Sequence, residues 1–234
     1  NPFQEAQILE AFAPKSKRFP ARSLEPYYEE AAATRWTFRI PDRTKVAVVS
    51  PFAESMRAQW ARQSVVWPTT PVWNPEVTLC PVKAHYSPYL CPDSTWPADV
   101  EARGWRAAVQ AMADEVVASG AKLALVGVGA LSLPLVVALK KRGVAAIHTG
   151  GATQIMFGVK GMRWTTHSVI SGFFNDAWVS PREDEIPSNA AAVEGERALP
   201  GWDPHIARAV AAAAAAGDAA GSSVDGAADD GAMA

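Results

Sequence analysis

The residues of this chain best suited to chemistry lie in two glycine turns and one run of acids. In His148-Thr149-Gly150-Gly151-Ala152-Thr153-Gln154, two glycines stand between an apolar run and a helical one. Such a turn presents backbone N–H groups at a helix N-terminus, a ready site for a pyrophosphate. Lys160 and Arg163 follow within reach of a phosphate. The same residues also make an ordinary helix start, with a structural histidine and a capping threonine, and the sequence leaves the two readings level. The earlier turn, Gly127-x-Gly129-x-x-Ser132, is one residue short of the dinucleotide pattern. His148 and Thr149 stand where that pattern needs a ribose-binding acid, so NAD is not expected. Two such turns on one sheet edge favour a ligand, because open α/β sheets bind at the carboxyl ends of their strands.

The acids are Glu183-Asp184-Glu185, set between Pro181 and Pro187. The prolines are expected to hold the run extended. A general base needs one positioned carboxylate, which Glu183 or Glu185 could supply. By charge pattern alone the run reads as a solvated loop. No Ser/His/Asp or Cys/His set assembles, and His85, His167 and His205 have no recognisable context. Cys80 and Cys91 lack CxxC or HxxxH company, so no metal is expected; a disulfide between them is open to the sequence, and two unpaired buried thiols are the expected reading.

The elements that must position these residues can be traced along the chain. Lys122 to Gly151 reads as strand, glycine turn, helix, strand, glycine turn, one right-handed βαβ unit. Leu123–Val126 is a short apolar run suited to a strand covered on both faces. Pro134 falls early in the next helix, Lys140, Lys141 and Arg142 at its C-terminus, and Gly143 stops it. Lys45–Ser50 is a further buried strand. Pro51 to Trp67 is expected as one helix with Phe52, Met56, Trp60 and Ser64 on a stripe, and Asp99 to Ser119 as one amphipathic helix. Val77-Thr78-Leu79 and Val82-Lys83-Ala84 could be a strand or its edges. Ser168 to Trp178 is left as helix or loop, and Val179 to Glu194 is expected to be extended.

The fold class that follows is α/β, a Rossmann-like parallel sheet with helices on both faces. Residues 1–40 are expected as an extended N-terminal arm without sustained periodicity, 41–195 as the domain, and 196–234 as an Ala-rich helix and acidic low-complexity tail. With 234 residues the chain can bury a real core. A net charge of −2 marks no nucleic-acid or anionic-membrane surface. Leu123 to Leu139 reaches about 17 residues, the lower limit for a membrane span, but its glycines and Ser-Leu-Pro centre fit strand plus helix. Nine tryptophans is a high count. Trp67, Trp73, Trp96, Trp105 and Trp202 sit within two residues of Pro or Gly and are expected to pin loops onto the core. The sequence starts at Asn1, and no signal peptide is expected from its first residues. It is expected to be a processed product or a fragment, soluble in the cytoplasm or in an organelle lumen or stroma.

Four segments together resemble a known family: VAVVSPFAESMRAQW, LALVGVGALSLPLVVALKKRG, AIHTGGATQIMFGVKGMRW and NDAWVSPREDEIPSNAAAVEG. They are similar to the blocks of a poorly characterised glycosyltransferase-like family of bacterial and algal-virus polysaccharide gene sets, akin to the GT-D type of fold. The resemblance runs from about Lys45 to Gly195. It implies a nucleotide-sugar donor at the glycine turns and glycosyl transfer to a polysaccharide or glycolipid hydroxyl. Ser50 and Glu54 match the first block, Gly127, Gly129 and Ser132 the second. His148, Gly150, Gly151, Gln154, Lys160 and Arg163 match the third, and Trp178, Glu183, Glu185 and Asn189 the last. The family's N-terminal glycine-and-acid motif has no counterpart, and its closing Gly-Cys-Tyr-Trp-like block is replaced by Gly195 to Trp202. Both losses fall where activity would reside.

Two functions are therefore expected. The first is a pseudoenzyme, a non-catalytic accessory or scaffold subunit that meets protein partners through its N-terminal arm, Trp-rich loops and C-terminal tail. The alternative is an active, metal-independent glycosyltransferase. In it, Gly150-Gly151 with Lys160 or Arg163 would neutralise the leaving diphosphate and Glu183 or Glu185 would activate the acceptor. Neither needs a further cofactor.

Overall fold

The computed structural model describes residues 2–17, 19–86, 96–161 and 164–186. Four apolar runs pair in parallel: β1 (Lys45–Ser50), β2 (Thr78–Lys83), β3 (Leu123–Val126) and β4 (Ala145–His148). Their order in the sheet is β2-β1-β3-β4. The connection from β2 to β3 passes over β1, so the winding reverses between β1 and β3. In open α/β sheets that reversal opens a crevice at the carboxyl ends of the two strands. Residue alternation divides each strand between two faces. Val46, Val48 and Leu125 join an aromatic cluster, whereas Ala47, Val49, Ala124 and Val126 join an aliphatic one. The expected α/β sheet with helices on both faces is the observed architecture. No helix among the described residues is long and apolar enough to cross a membrane.

The aliphatic face is covered by α5 (Trp105–Ala118) and α6 (Ser132–Lys141), through residues such as Val109, Met112, Val116, Leu135 and Leu139. The single helix expected from Asp99 is two, α4 (Ala98–Arg103) and α5, broken at Gly104 with φ 75°. Trp105, the first residue of α5, lies at the surface, 40% exposed. The helix expected from Pro51 to Trp67 is likewise two, α2 (Ala53–Trp60) and α3 (Gln63–Val66). The two short runs within 77–84 join in the continuous strand β2, Thr78–Lys83, which carries Pro81 because it is an edge strand. Cys80 lies half-buried on it with a free thiol, not fully buried; Cys91 is outside the described residues.

Tryptophans complete the aromatic face by satisfying backbone groups there. Trp67 and Trp73 donate their indole N–H groups to one acceptor, the Met156 carbonyl, at 3.2 and 3.1 Å. Trp178 donates to Val66 O at 3.2 Å, and Gln59 Nε2 to the carbonyls of Gly158 and Ala177. A buried carbonyl left unmatched would cost about 1–3 kcal/mol, so these rings are cross-links as well as apolar bulk. Trp67, Trp73 and Trp96 are buried and so pin their loops to the core. They are thereby removed from the surface on which Trp-rich loops were expected to meet a partner. Trp105 alone of that loop set is exposed among the described residues, and Trp202 lies outside them.

The expected boundary at residue 40 is corrected. Buried Arg35 donates to the carbonyls of Glu29 and Glu30 and to that of Pro71. Thr37 donates to Val72 O, and Asn74 Nδ2 to Ile40 O at 3.0 Å. Tyr27 stacks on Trp67 with centroids 5.9 Å apart. Residues 26–40, wound in 3-10 turns, are thus part of the domain. The arm proper is shorter and, contrary to the expected absence of periodicity, opens with the helix α1 (Pro2–Phe12). Phe12 and Phe19 lie exposed on it. Residues 187–234, including the Ala-rich segment and tail, fall outside the described residues.

Candidate functional site

Beyond the carboxyl ends of the strands the chain makes three junctions: β1 to α2, β3 to α6, and β4 to α7 (Ala152–Met156). At the second, Ser132 is buried and its Oγ accepts the Val128 N–H at 3.0 Å, closing the turn. Gly127 is close-packed from the neighbouring junction. A Cβ placed there would lie 2.8 Å from Gly150 O and 2.8 Å from Thr153 Oγ1. Gly129 has φ 58° and open space around it. The glycine at 127 is therefore demanded by the chain's own backbone, and the two turns are brought together as packing partners.

The third junction spends most of its amides internally. Thr149 and Gly150 donate to Val126 O, Ala152 to Thr149 O, Thr153 to Gly150 O and Gln154 to Gly151 O. Thr149 and Thr153 share a hydroxyl contact of 2.6 Å, and Thr153 Oγ1 also donates to Gly150 O at 2.8 Å. Gly151 is helical, at φ −69° and ψ −19°. These contacts use five amides of the turn, while the Gly151 N–H donates to no group among the described residues. His148 is exposed at the end of β4, while Gln154 is buried, its amide beside Gly161. Lys160 is half-buried, its N–H bonded to Val179 O at 2.7 Å and its ammonium 5.8 Å from the Phe174 ring centroid. Arg163 and Asn189 lie outside the described residues.

Charge gathers instead at the first junction. Ser50 Oγ accepts the Phe52 N–H at 3.2 Å, and α2 then starts with its amides facing Glu185. Glu185 Oε1 accepts from Glu54 N at 2.8 Å and Ser55 N at 3.2 Å, and Oε2 from the Ser55 hydroxyl and from Arg182 N. Lys83 Nζ, at the end of β2, stands 3.7 Å away. The Glu185 side chain is wholly inaccessible while that of Lys83 is 32% exposed. A carboxylate is the favoured occupant of a helix N-terminus. The acid run is therefore not the extended loop expected. It winds into a 3-10 turn, Glu183–Glu185, that folds back on α2, with Glu185 N donating to Arg182 O at 3.0 Å and the Arg182 N–H donating to Glu185 Oε2 at 3.3 Å. Pro181 precedes the turn and so does not prevent it.

Glu183 and Asp184 remain exposed. The Arg182 guanidinium hydrogen-bonds Asp184 and holds its carboxyl below the usual range, while Asp184 raises the arginine in turn. Beyond Lys83 on the same edge lies His85. Burial first, and the Lys83 charge second, hold its imidazole below the ordinary histidine value. Glu115, which lines a small cavity together with Lys83 and His85, is raised by desolvation.

Ser55, Lys83 and His85 were not singled out by sequence. The signal for Lys83 is a lone cation closing an otherwise uncharged strand, TLCPVK, which calls for a carboxylate nearby. Ser55 carries no such mark. No known protein family matches the chain, and neither does any curated protein or solved structure.

Proposed function

We propose that this chain is a glycosyltransferase-like domain in a non-catalytic role, an accessory or scaffold subunit of a larger assembly. The observation that carries the reading is the position of Glu185. A general base must come within hydrogen-bond reach of the proton it takes. This carboxylate is closed off from solvent, with both oxygens already accepting from α2 and Arg182. It secures the crevice edge and cannot meet an acceptor hydroxyl from there. The outer surface of α5 and α6 supports a partner. Trp105, Leu133 and Val137 are 40%, 64% and 53% exposed and line one groove of about 490 Å³, with Arg106 and Lys141 beside them. Clustered exposed apolar side chains of this kind mark interaction surfaces. The N-terminal arm, with Phe12 and Phe19, and the C-terminal tail would extend the contact.

The second reading, a metal-independent glycosyltransferase, is favoured by the winding reversal between β1 and β3, the usual ligand position in such sheets. Exposed Glu183 would then serve as base. Gly150-Gly151, with Lys160 or Arg163, would hold the diphosphate of a nucleotide-sugar donor.

A thermal-shift titration against UDP, GDP, CMP and dTDP, with and without Mg²⁺, separates the two. A ligand that binds only the folded state adds about 2.7 kcal/mol at a hundredfold excess over Kd. The accessory reading expects no rise in Tm with any nucleotide. A rise of several degrees with one of them would replace it by the transferase reading and name the donor class.

A further inference from the structure

We propose that α1 of a second copy of this chain docks in the groove between α5 and α6, and that two copies exchange their arms reciprocally. This rests on the reading of that face as a partner surface and names the partner as another copy. Both halves of such a contact are uncovered in the single chain. On α1, Ile8 and Phe12 stand one turn apart, 59% and 86% exposed. Among the described residues none from α1 joins the apolar clusters of the domain. A lone helix of 11 residues is marginal in water, because most helix stability comes from packing an apolar face. The other half is the groove, where Trp105, Leu133 and Val137 lie open to water.

Shape and charge fit. The 11 residues of α1 extend about 16 Å and the 10 of α6 about 15 Å. One helix can therefore lie along the other, with Ile8 and Phe12 as the i, i+4 anchors of a helix-in-groove contact. The charged residues of α1, Glu5 and Glu10, are both acids, whereas those lining the groove, Arg106 and Lys141, are both cations. Position 5 shares the face of positions 8 and 12 by its spacing, which brings that acid to the rim and leaves Glu10 outside. A rim of this sign would repel a basic segment.

The occupant comes from another chain because of where the arm is tied. Arg22 lies over the Tyr28 ring at 4.1 Å, and Trp36 Nε1 donates to Leu24 O at 3.4 Å. Tyr27 belongs to the aromatic cluster, whereas α5 and α6 cover the opposite face of the sheet. The link of residues 13–21 reaches about 32 Å at full extension. To enter its own groove it would have to round a sheet edge and pass a helix layer about 10–12 Å thick. A second copy presents its groove without that detour. Each chain offers one arm and one groove, so reciprocal exchange about a two-fold axis uses both, while a one-way contact leaves an open chain of copies.

Sedimentation equilibrium of the full chain should show a dimer. Phe12→Gln and Leu133→Gln each replace an exposed side chain on one half of the contact. Either should weaken association about tenfold per contact, and so about a hundredfold per dimer. Mixed in equal amounts, the two variants can form one contact free of both changes, the arm of the Leu133→Gln chain in the groove of the Phe12→Gln chain. The mixture should therefore associate about tenfold more tightly than either variant alone. Val137→Gln, at a 53% exposed position in the same groove, serves if Leu133→Gln does not fold. A monomeric wild type, which includes an arm folded into its own groove, would overturn the exchange. So would a variant as dimeric as wild type, the mark of an arm–arm or groove–groove contact, or a mixture no tighter than its components. A nucleotide-induced rise in Tm with the dimer and its complementation intact would leave the exchange standing and remove the accessory reading alone.

Discussion

The two halves of the carboxyl edge hold themselves together by opposite means. On the β3/β4 side, two glycine turns lie backbone against backbone, with Gly127 fitted under Gly150 O and Thr153, and most amides of the second turn donated to nearby carbonyls. On the β1/β2 side one side chain does the joining. Glu185 arrives from the far end of the described chain and ties α2 to β2 through Ser55, two helix amides and Lys83. The first arrangement rests on exclusion of volume and the second on compensation of charge. They should therefore fail differently. Removing a group breaks the second, while adding one breaks the first.

The largest effect is expected at the latch. Glu185→Ala leaves two α2 amides, the Ser55 hydroxyl and the Lys83 ammonium without their acceptor. Breaking a buried, hydrogen-bonded ion pair costs about 3–5 kcal/mol. Since Lys83 keeps a third of its exposure, about 3 kcal/mol is the expected loss in urea unfolding. Glu185→Gln, which retains the shape and one acceptor, should lose about half as much. A loss under 1 kcal/mol for the alanine variant would mean that the latch opens freely in solution, and the contrast between the halves would disappear.

On the other side the expected effects come from a matched pair of glycines. Gly127→Ala places a methyl group 2.8 Å from a backbone oxygen, an overpacking expected to cost about 1–3 kcal/mol. Gly129→Ala meets no atom within 4 Å and bears only its φ of 58°, about 1 kcal/mol. The order of the two, measured by chemical denaturation, is the informative quantity. Equal losses would show that the turns can separate and that Gly127 is not set by its neighbour.

How far the sequence could foresee this follows from range. The strands and α6 were legible because apolar runs, caps and terminal lysines are local signals, and β1, β3 and β4 fall where those signals put them. Gly127, Gly129 and Ser132 were legible as a turn for the same reason. What was not legible is who occupies each site. Ser55 and Glu185 are 130 residues apart, and nothing near either one announces the other. The Glu183–Glu185 run looked extended because its flanking prolines are a local cue, and a distant helix terminus outweighed them. Residues 26–40 looked like an arm because Arg35 is satisfied by carbonyls, including that of distant Pro71, and carbonyls have no sequence signature.

A smaller loss is expected from Ser132→Ala. Its hydroxyl holds the Val128 N–H at 3.0 Å from a fully buried position, and one such bond contributes about 1 kcal/mol. The change should leave the β1/β2 side untouched. Hydrogen exchange should accelerate at the 127–131 amides but not at those of Glu54 and Ser55. Faster exchange at both places would mean that the halves open as one unit.

The smallest effect is a pH dependence that belongs to the β1/β2 side alone. The folded protein holds His85 below its ordinary value, through burial and then the Lys83 charge. An imidazole depressed in this way contributes stability above its unfolded value, about 6.5, and that contribution is lost as pH falls. Glu115 acts in the opposite sense. Its carboxyl is raised by desolvation, so its own contribution is present at low pH and is lost as pH rises from the ordinary glutamate value. Between pH 7.5 and 5.5 the histidine should therefore set the difference between wild type and His85→Gln. The variant cannot take up the proton, so its Tm relative to wild type should rise as the pH is lowered across that window. A constant difference would separate His85 from the charge of Lys83, and the compensation of charge on this side would end at Glu185.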